Sequence, residues 1–205
     1  MNAPQSIQSQ VAALTTLALG TKLEVGFFAG YINGPAGVFG IEAAPKDTEF
    51  EGIWLPTYAE VPGACSYLDG SANTLAMAKA GSAIATKALA TEIGGLRDWY
   101  VASRDELELL YRAFKPTQET NYVYRNGENP SSIPVGYPYT ETSPAQTSIA
   151  LFQEGGAEAF EEAWYWSSTQ FSRGYAWVQY FAVGSQSVVG KDYTRRVRLV
   201  RRFKA

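Results

Sequence analysis

The sequence contains no histidine. That absence excludes Ser-His-Asp and Cys-His nucleophilic machinery, His-ligated zinc or iron, and histidine pH switching. It contains one cysteine, Cys65, so an intrachain disulfide, a Cys₄ zinc site and a redox pair are all excluded. The fold must therefore hold by packing and not by staples. No stretch approaches the roughly 18 apolar residues of a membrane helix, so no membrane insertion is expected. Met1 to Gln10 carries no Lys or Arg and lacks the charged start of a signal peptide, so the expectation is synthesis in the cytoplasm without one. Neither G-x-G-x-x-G nor G-x-S-x-G occurs. The nearest approach to a phosphate loop runs from Gly184 to Asp192. It has one residue too many before Gly190-Lys191, and Asp192 stands where a Mg²⁺-binding hydroxyl belongs.

What is present is a chain of 205 residues, 46% hydrophobic and 18% charged, which suits one globular domain. Aromatic residues reach 14%, with 13 Tyr, 10 Phe and 5 Trp. The net charge of −3 is uneven. Residues 191–205 hold seven basic side chains against Asp192, a net of +6, and the rest of the chain carries −9. A basic tail can bind nucleic acid. Here Arg195 to Phe203 alternates like a strand, and the reading is a terminal strand ion-paired to an acidic body, with no nucleic-acid partner.

Residues 1–21 read as an arm for attachment or oligomerisation, with Val11, Leu14, Leu17 and Ala18 at helical spacing; residues 22–205 read as the domain. Leu23–Ile32 and Gly37–Ala43 form a hairpin with a turn signal at Asn33-Gly34. A first helix is predicted over about Thr74–Thr91, ended by Gly94-Gly95. The second carries a capping box, Ser103 with Glu106, then the stripe Leu107, Leu110, Tyr111 and Phe114, and stops at Pro116. Residues 116–145 are a proline-rich loop, and a short helix follows near Ala145–Gln153. Trp164–Ser168, Ala176–Val183, Ser185–Val189 and Arg195–Phe203 are four strands of an antiparallel meander. Segregated helices and strands make the class α+β, here two helices plus an antiparallel meander and a short N-terminal arm.

Candidate chemistry is sparse. Asp105, Glu106 and Glu108, and Glu158, Glu161 and Glu162, are carboxylate groupings that a glycan hydrolase would need. Glu106 reads better as a cap, and the second group as a solvated face or as partners for the basic terminus. Asp69 to Asn73 could chelate Ca²⁺ but reads better as a capping turn. On Ala176–Ala182, alternation puts Trp177, Gln179 and Phe181 on one face, with Trp177 and Phe181 in the core, and leaves Val178, Tyr180 and Ala182 on the other, exposed face. Trp164 and Trp166 read as core.

Several motifs carry a resemblance. They are Trp164-Tyr-Trp-Ser-Ser-Thr169, Ala176-Trp177-x-Gln179-x-Phe181-x-x-Gly184 and the closing Arg196-Val-Arg-x-Val-Arg201. Upstream lies Asp98-Trp99-Tyr-Val-Ala-Ser-Arg104-Asp-Glu-Leu107, with Ala102 in place of a usual proline. Asp69-Gly70-x-x-Asn73-Thr74 and Pro144-Ala-Gln-Thr147 add to them. Over roughly residues 22–203 the chain resembles the bacterial and phage domain of unknown function found at the C-terminus of collagen-like adhesins. That domain is related to the variable proteins of diversity-generating retroelements, which act as phage tropism determinants.

The resemblance implies a C-type-lectin-like fold. The lectin calcium motifs E-P-N, Q-P-D and W-N-D do not occur, and the paired cysteines of formylglycine-generating enzymes reduce to Cys65 alone. So neither a metal, nor a cofactor, nor catalytic residues are expected. In diversified relatives the residues between the fixed positions vary and bind ligand. Here those are Phe171, Arg173, Tyr175, Val178, Tyr180 and Ala182, followed by Ser185, Ser187, Val189, Asp192 and Tyr193. The implied role is a phage or prophage receptor-binding module of a tail tip or tail fibre, located in the virion. Its expected partners are a host cell-surface protein or glycan and other virion tail proteins, with display as a homo-oligomer, a trimer being favoured. A structural or decoration protein of the virion is the first alternative, and a carboxylate-based glycan hydrolase the second.

Overall fold

The computed structural model describes residues 17–205. Of the helical segment Val11–Ala18, residues up to 16 lie outside the described residues. Leu17 and Ala18 fall inside them but not in a helix. The chain joins the domain at once, because the Gly20 N–H donates to the Phe28 carbonyl and the Phe28 N–H donates to Thr21.

The predicted hairpin forms as β1 (Phe27–Gly34) and β2 (Gly37–Ala43). Its two-residue turn is Pro35-Ala36, two positions past the expected Asn33-Gly34, because Gly34 pairs with Gly37. Gly37 closes that turn at φ +117, a conformation that side chains other than hydrogen disfavour.

After β3 (Phe50–Ile53) come α1 (Gly70–Lys79) and α2 (Ala83–Ala90). The predicted single helix over Thr74–Thr91 is thus two. The Asp69 carboxylate caps α1, accepting from the Ala72 N–H at 3.0 Å. The break comes at Gly81, φ +91, and Ser82 restarts the helix. Its Oγ accepts from the Ala85 N–H and donates to the Trp54 carbonyl at 2.6 Å. Gly94-Gly95 does not end a helix. It turns the small bridge between Ile93 and Leu96.

Next come β4 (Tyr100–Val101) and α3 (Arg104–Phe114). The capping box at Ser103 and Glu106 is present, and Leu107, Leu110, Tyr111 and Phe114 are all buried. Residues 116–145 contain the two-residue β5 (Ser132–Ile133) and are tied down throughout. Arg112 donates to the Gly127 and Tyr137 carbonyls, Asn129 donates to Glu108, and the Tyr139 hydroxyl donates to Glu108. The expected helix near Ala145–Gln153 shrinks to a single 3₁₀ turn, Ala150–Phe152.

The C-terminal strands are β6 (Trp164–Gln170), β7 (Tyr175–Tyr180), β8 (Gln186–Gly190), β9 (Thr194–Val197) and β10 (Leu199–Lys204). Two expectations fail here. The last predicted strand is two strands in different sheets, and β9 skips β8 to lie beside β6, in parallel, at Tyr165 and Arg196. One sheet has the order β4-β10-β2-β1-β5 and the other β3-β9-β6-β7-β8. Among the described residues, three α-helices and two largely antiparallel sheets confirm the α+β class and correct the count of two helices.

The second sheet sits between two cores. Tyr165 and Phe181 join Phe114, Phe152 and Phe160 on one side. Trp166, Ala176, Val178 and Val197 join Trp54, Met77 and Trp99 on the other. Phe114 stacks on Phe152 at 3.9 Å and Phe160 on Phe181 at 4.1 Å.

Double coverage removes the expected inside–outside alternation of β7. Val178 and Ala182, expected on an exposed face, are 2% and 1% exposed. Trp177, expected in the core, is only half-buried, while Phe181 is buried as expected and Gln179 is buried with it. Tyr180 is half-buried, its ring 5.2 Å from Trp164, which is itself only partly buried; Trp166 is core as expected.

Candidate functional site

The start of β7 is a tight turn. The Phe171 and Ser172 N–H groups donate to the Tyr175 carbonyl, and the Tyr175 N–H donates back to Ser172. This turn holds Phe171, Arg173 and Tyr175 outward at the end of the sheet where β6 turns into β7. Opposite Tyr175 in the ladder stands Gly190. The chain then reverses through Lys191-Asp192, bringing Tyr193 and Arg195 back beside Tyr175.

A segment remote in sequence completes the surface. Arg173 Nε donates to the Tyr58 carbonyl at 2.7 Å, which docks the 56–59 loop on the turn. Tyr58, Tyr175, Val189, Gly190, Tyr193 and Arg195 then line an open cleft of about 420 Å³. Its tyrosines are exposed: Tyr58 and Tyr193 at 55% and Tyr175 at 51%. The Arg195 guanidinium lies 5.2 Å over the Tyr193 ring, and its buried Nε has no partner among the described residues. A hydrogen bond to Asp192 raises the Tyr58 phenol above its ordinary pKa.

An aromatic platform adjoins the cleft. Phe171, 55% exposed, meets Trp177 edge-on at 5.5 Å, and Tyr67 meets the same indole at 6.0 Å. The Arg104 guanidinium lies 5.0 Å over Tyr67 and 5.1 Å over Trp177. Ion pairing to Asp105 at 2.9 Å and a bond to Gln186 fix its orientation.

Of the eleven residues expected to bind ligand, Phe171, Arg173, Tyr175, Asp192 and Tyr193 converge on this exposed region. Ser185, Ser187 and Val189 are half-buried, on β8 and the turn before it, and of these Val189 lines the cleft. Tyr180 faces a second cleft with Trp164, Arg195 and Arg196. Val178 and Ala182 are core, as described above. Sequence reasoning missed Tyr58, Tyr67, Arg104 and Arg195. Tyr58 sits between Pro56 and Pro62, a loop signal, but nothing local says which strand that loop will meet.

Apart from the exposed Glu162, the carboxylates expected of a hydrolase are engaged in holding the fold. Glu106 accepts from the Ser103 N–H, the Gly70 N–H and the Tyr100 hydroxyl. Its complete burial pushes its pKa up to about 6. Glu108 binds Arg112, Asn129 and Tyr139, and Asp105 binds Arg104 and Ser131. Glu158 pairs with Arg198 at 2.6 Å and Glu161 with Lys46 at 2.8 Å. Asp69, in the turn with chelating potential, caps α1 and pairs with Arg202, and Asn73 is bound to Ser66. The basic terminus is ion-paired as expected: Arg196 to Glu49 and Glu51, and Arg201 to Glu42 and Asp98.

The sequence model of the Lcl C-terminal domain matches residues 46–201, from just before β3 into β10 and including the whole cleft and platform. The chain belongs to the Lcl C-terminal domain family. This agrees with the resemblance carried by the tryptophan and arginine motifs, and it fits a binding module of the adhesin type. None of the curated proteins matches the chain. Among solved structures, a fimbrial protein from Bacteroides ovatus ATCC 8483 is similar, with a TM-score of 0.45 and 12% identity. The similarity covers 91% of this chain and 49% of that one, so the chain spans about half the length of the fimbrial protein.

Proposed function

We propose that this Lcl C-terminal domain is a non-catalytic receptor-binding module of a phage or prophage tail, with a C-type-lectin-like fold and a host cell-surface protein or glycan as its ligand. The observation that carries the proposal is the convergence of four exposed aromatic rings, Tyr58, Phe171, Tyr175 and Tyr193, with Arg173 and Arg195 at one end of the second sheet. Tyrosine and arginine dominate binding hot spots because they bury large area and hydrogen-bond at low entropic cost. Open clefts bind weakly one at a time, so the reading includes oligomeric display, a trimer, to supply avidity.

The test is adhesion of the purified oligomer to intact candidate host cells. Tyr175→Ala with Tyr193→Ala is expected to abolish binding without shifting the melting temperature. Normal binding by this variant would move the receptor site elsewhere. Dissociation into monomers would make the same surface an assembly interface, as in a structural virion protein.

A further inference from the structure

Behind the cleft, between β6 and the turn that follows β8, lies a buried amine beside a buried carboxamide. Lys191 is 0% exposed and Gln170 is 3% exposed. Lys191 Nζ donates to Gln170 Oε1 at 2.5 Å and to the Ala59 carbonyl at 2.9 Å, and it sits 4.6 Å over the Trp54 ring. The same Oε1 accepts from the Val61 N–H at 2.9 Å. Gln170 Nε2 donates to the Glu60 carboxylate at 2.5 Å and lies 3.6 Å from Cys65 Sγ. The receptor-binding reading uses none of these groups.

Each part of an amide exchange is therefore in place. An amine is held against a carboxamide, a backbone N–H is placed to stabilise an oxyanion on Oε1, and a solvent-connected carboxylate touches the leaving nitrogen. We propose that Lys191 and Gln170 form an intramolecular isopeptide bond, with Glu60 as the proton carrier. The Nζ lone pair attacks Gln170 Cδ, and the negative charge on Oε1 is met by the Val61 N–H. Glu60 carries the proton shed by Nζ to Nε2. The Cδ–Nε2 bond breaks, ammonia leaves and an Nζ–Cδ amide remains. No oxidant, reductant or cofactor enters the balance.

Burial supplies the neutral amine that the step requires, since desolvation pulls the Lys191 pKa down to about 8. At that pH about half of the amine is unprotonated. The bond would tie Gln170 at the end of β6 to Lys191 just after β8. It would thus close a covalent ring around the β7–β8 hairpin that carries Tyr175. In a binding module under tension, such a ring keeps the hairpin from peeling off the sheet.

Mass spectrometry of the full chain, purified and then held at mildly alkaline pH, tests the proposal. The expected result is a protein lighter by one ammonia, with a proteolytic fragment in which the Lys191 and Gln170 peptides are joined. Lys191→Arg and Gln170→Glu should each retain full mass at mildly alkaline pH. Glu60→Gln should slow the change by about a hundredfold, the usual weight of a positioned proton carrier. An unchanged wild-type mass overturns the proposal. So does ammonia loss that maps to an Asn-Gly pair, or one that blocks the Cys65 thiol and is reversed by hydroxylamine, the mark of a thioester. The wild-type fragment decides the matter even if the buried variants fold poorly, and cell binding does not enter the readout.

Discussion

At the scale of single residues, position in the two cores ranks the aromatic side chains better than size does. Trp166 is enclosed by the core of Trp54, Trp99 and Val197, and its Nε1–H donates to the Gly52 carbonyl. Trp166→Ala should cost about 3–5 kcal/mol in denaturant melts, as large-to-small core changes do. Tyr175→Ala, at the exposed start of β7, should stay within about 0.5 kcal/mol. Equal losses for the two would show that the sheet is turned the other way. Glu106 gives a pH signature. Its folded pKa of about 6 lies above the unfolded 4.5, so the folded state binds the proton more tightly. The stability it contributes is complete below pH 4.5 and is lost as pH rises through 6, about 2 kcal/mol in all. Burial raises Glu49, Asp105 and Glu108 in the same direction. Melts at pH 4.5 and 6.5 should therefore differ less for Glu106→Gln than for the native chain. An equal pH difference in both would remove Glu106 as the cause.

At the scale of elements, breaks are as informative as the helices and strands they separate. Gly81 and Ser82 divide what periodicity alone reads as one helix. Ser82→Ala removes both the α2 cap and the bond to the Trp54 carbonyl, and should cost about 1–2 kcal/mol. Gly81→Ala adds an L side chain at φ +91 with open space around it, so its cost is backbone strain alone, about 1 kcal/mol or more. A melt in which Gly81→Ala is stabilising would mean that the two helices tolerate fusion. Sequence exposes the capping box and stripe of α3 because both signals lie within one or two turns. It hides the α1–α2 break because glycine inside a helical pattern is ambiguous until the Trp54 carbonyl arrives to bind Ser82.

At the scale of the whole molecule, the joint at Arg198 connects the two sheets. Its guanidinium is fully buried, reaching Glu158 at 2.6 Å, Glu49 at 3.4 Å and the Ala44 carbonyl at 2.7 Å. β9 leaves it in one sheet and β10 in the other. Arg198→Ala takes the buried cation from the largely covered Glu49 and the partly exposed Glu158 and frees the joint, so the loss should be about 3 kcal/mol. A loss under about 1 kcal/mol in urea melts would show that the sheets hold together without it.

The sequence by itself determined the α+β class, the first hairpin, the α3 cap and stripe, the paired basic terminus and the family. Periodicity, caps, turn residues and contiguous motifs are local quantities. The resemblance named eleven ligand-binding positions, of which Phe171, Arg173, Tyr175, Asp192 and Tyr193 meet on one exposed surface while Val178 and Ala182 lie in the core. The tertiary structure alone decided the phase of β7. Both faces of its sheet are covered, so alternation of polar and apolar residues no longer marks inside from outside. Only the fold brought Tyr58 and Arg195 to the cleft, Arg104 to Trp177, and Lys191 to Gln170. Each of those meetings depends on which strand lies beside which, and that order is set by the packing of two cores that no local window contains.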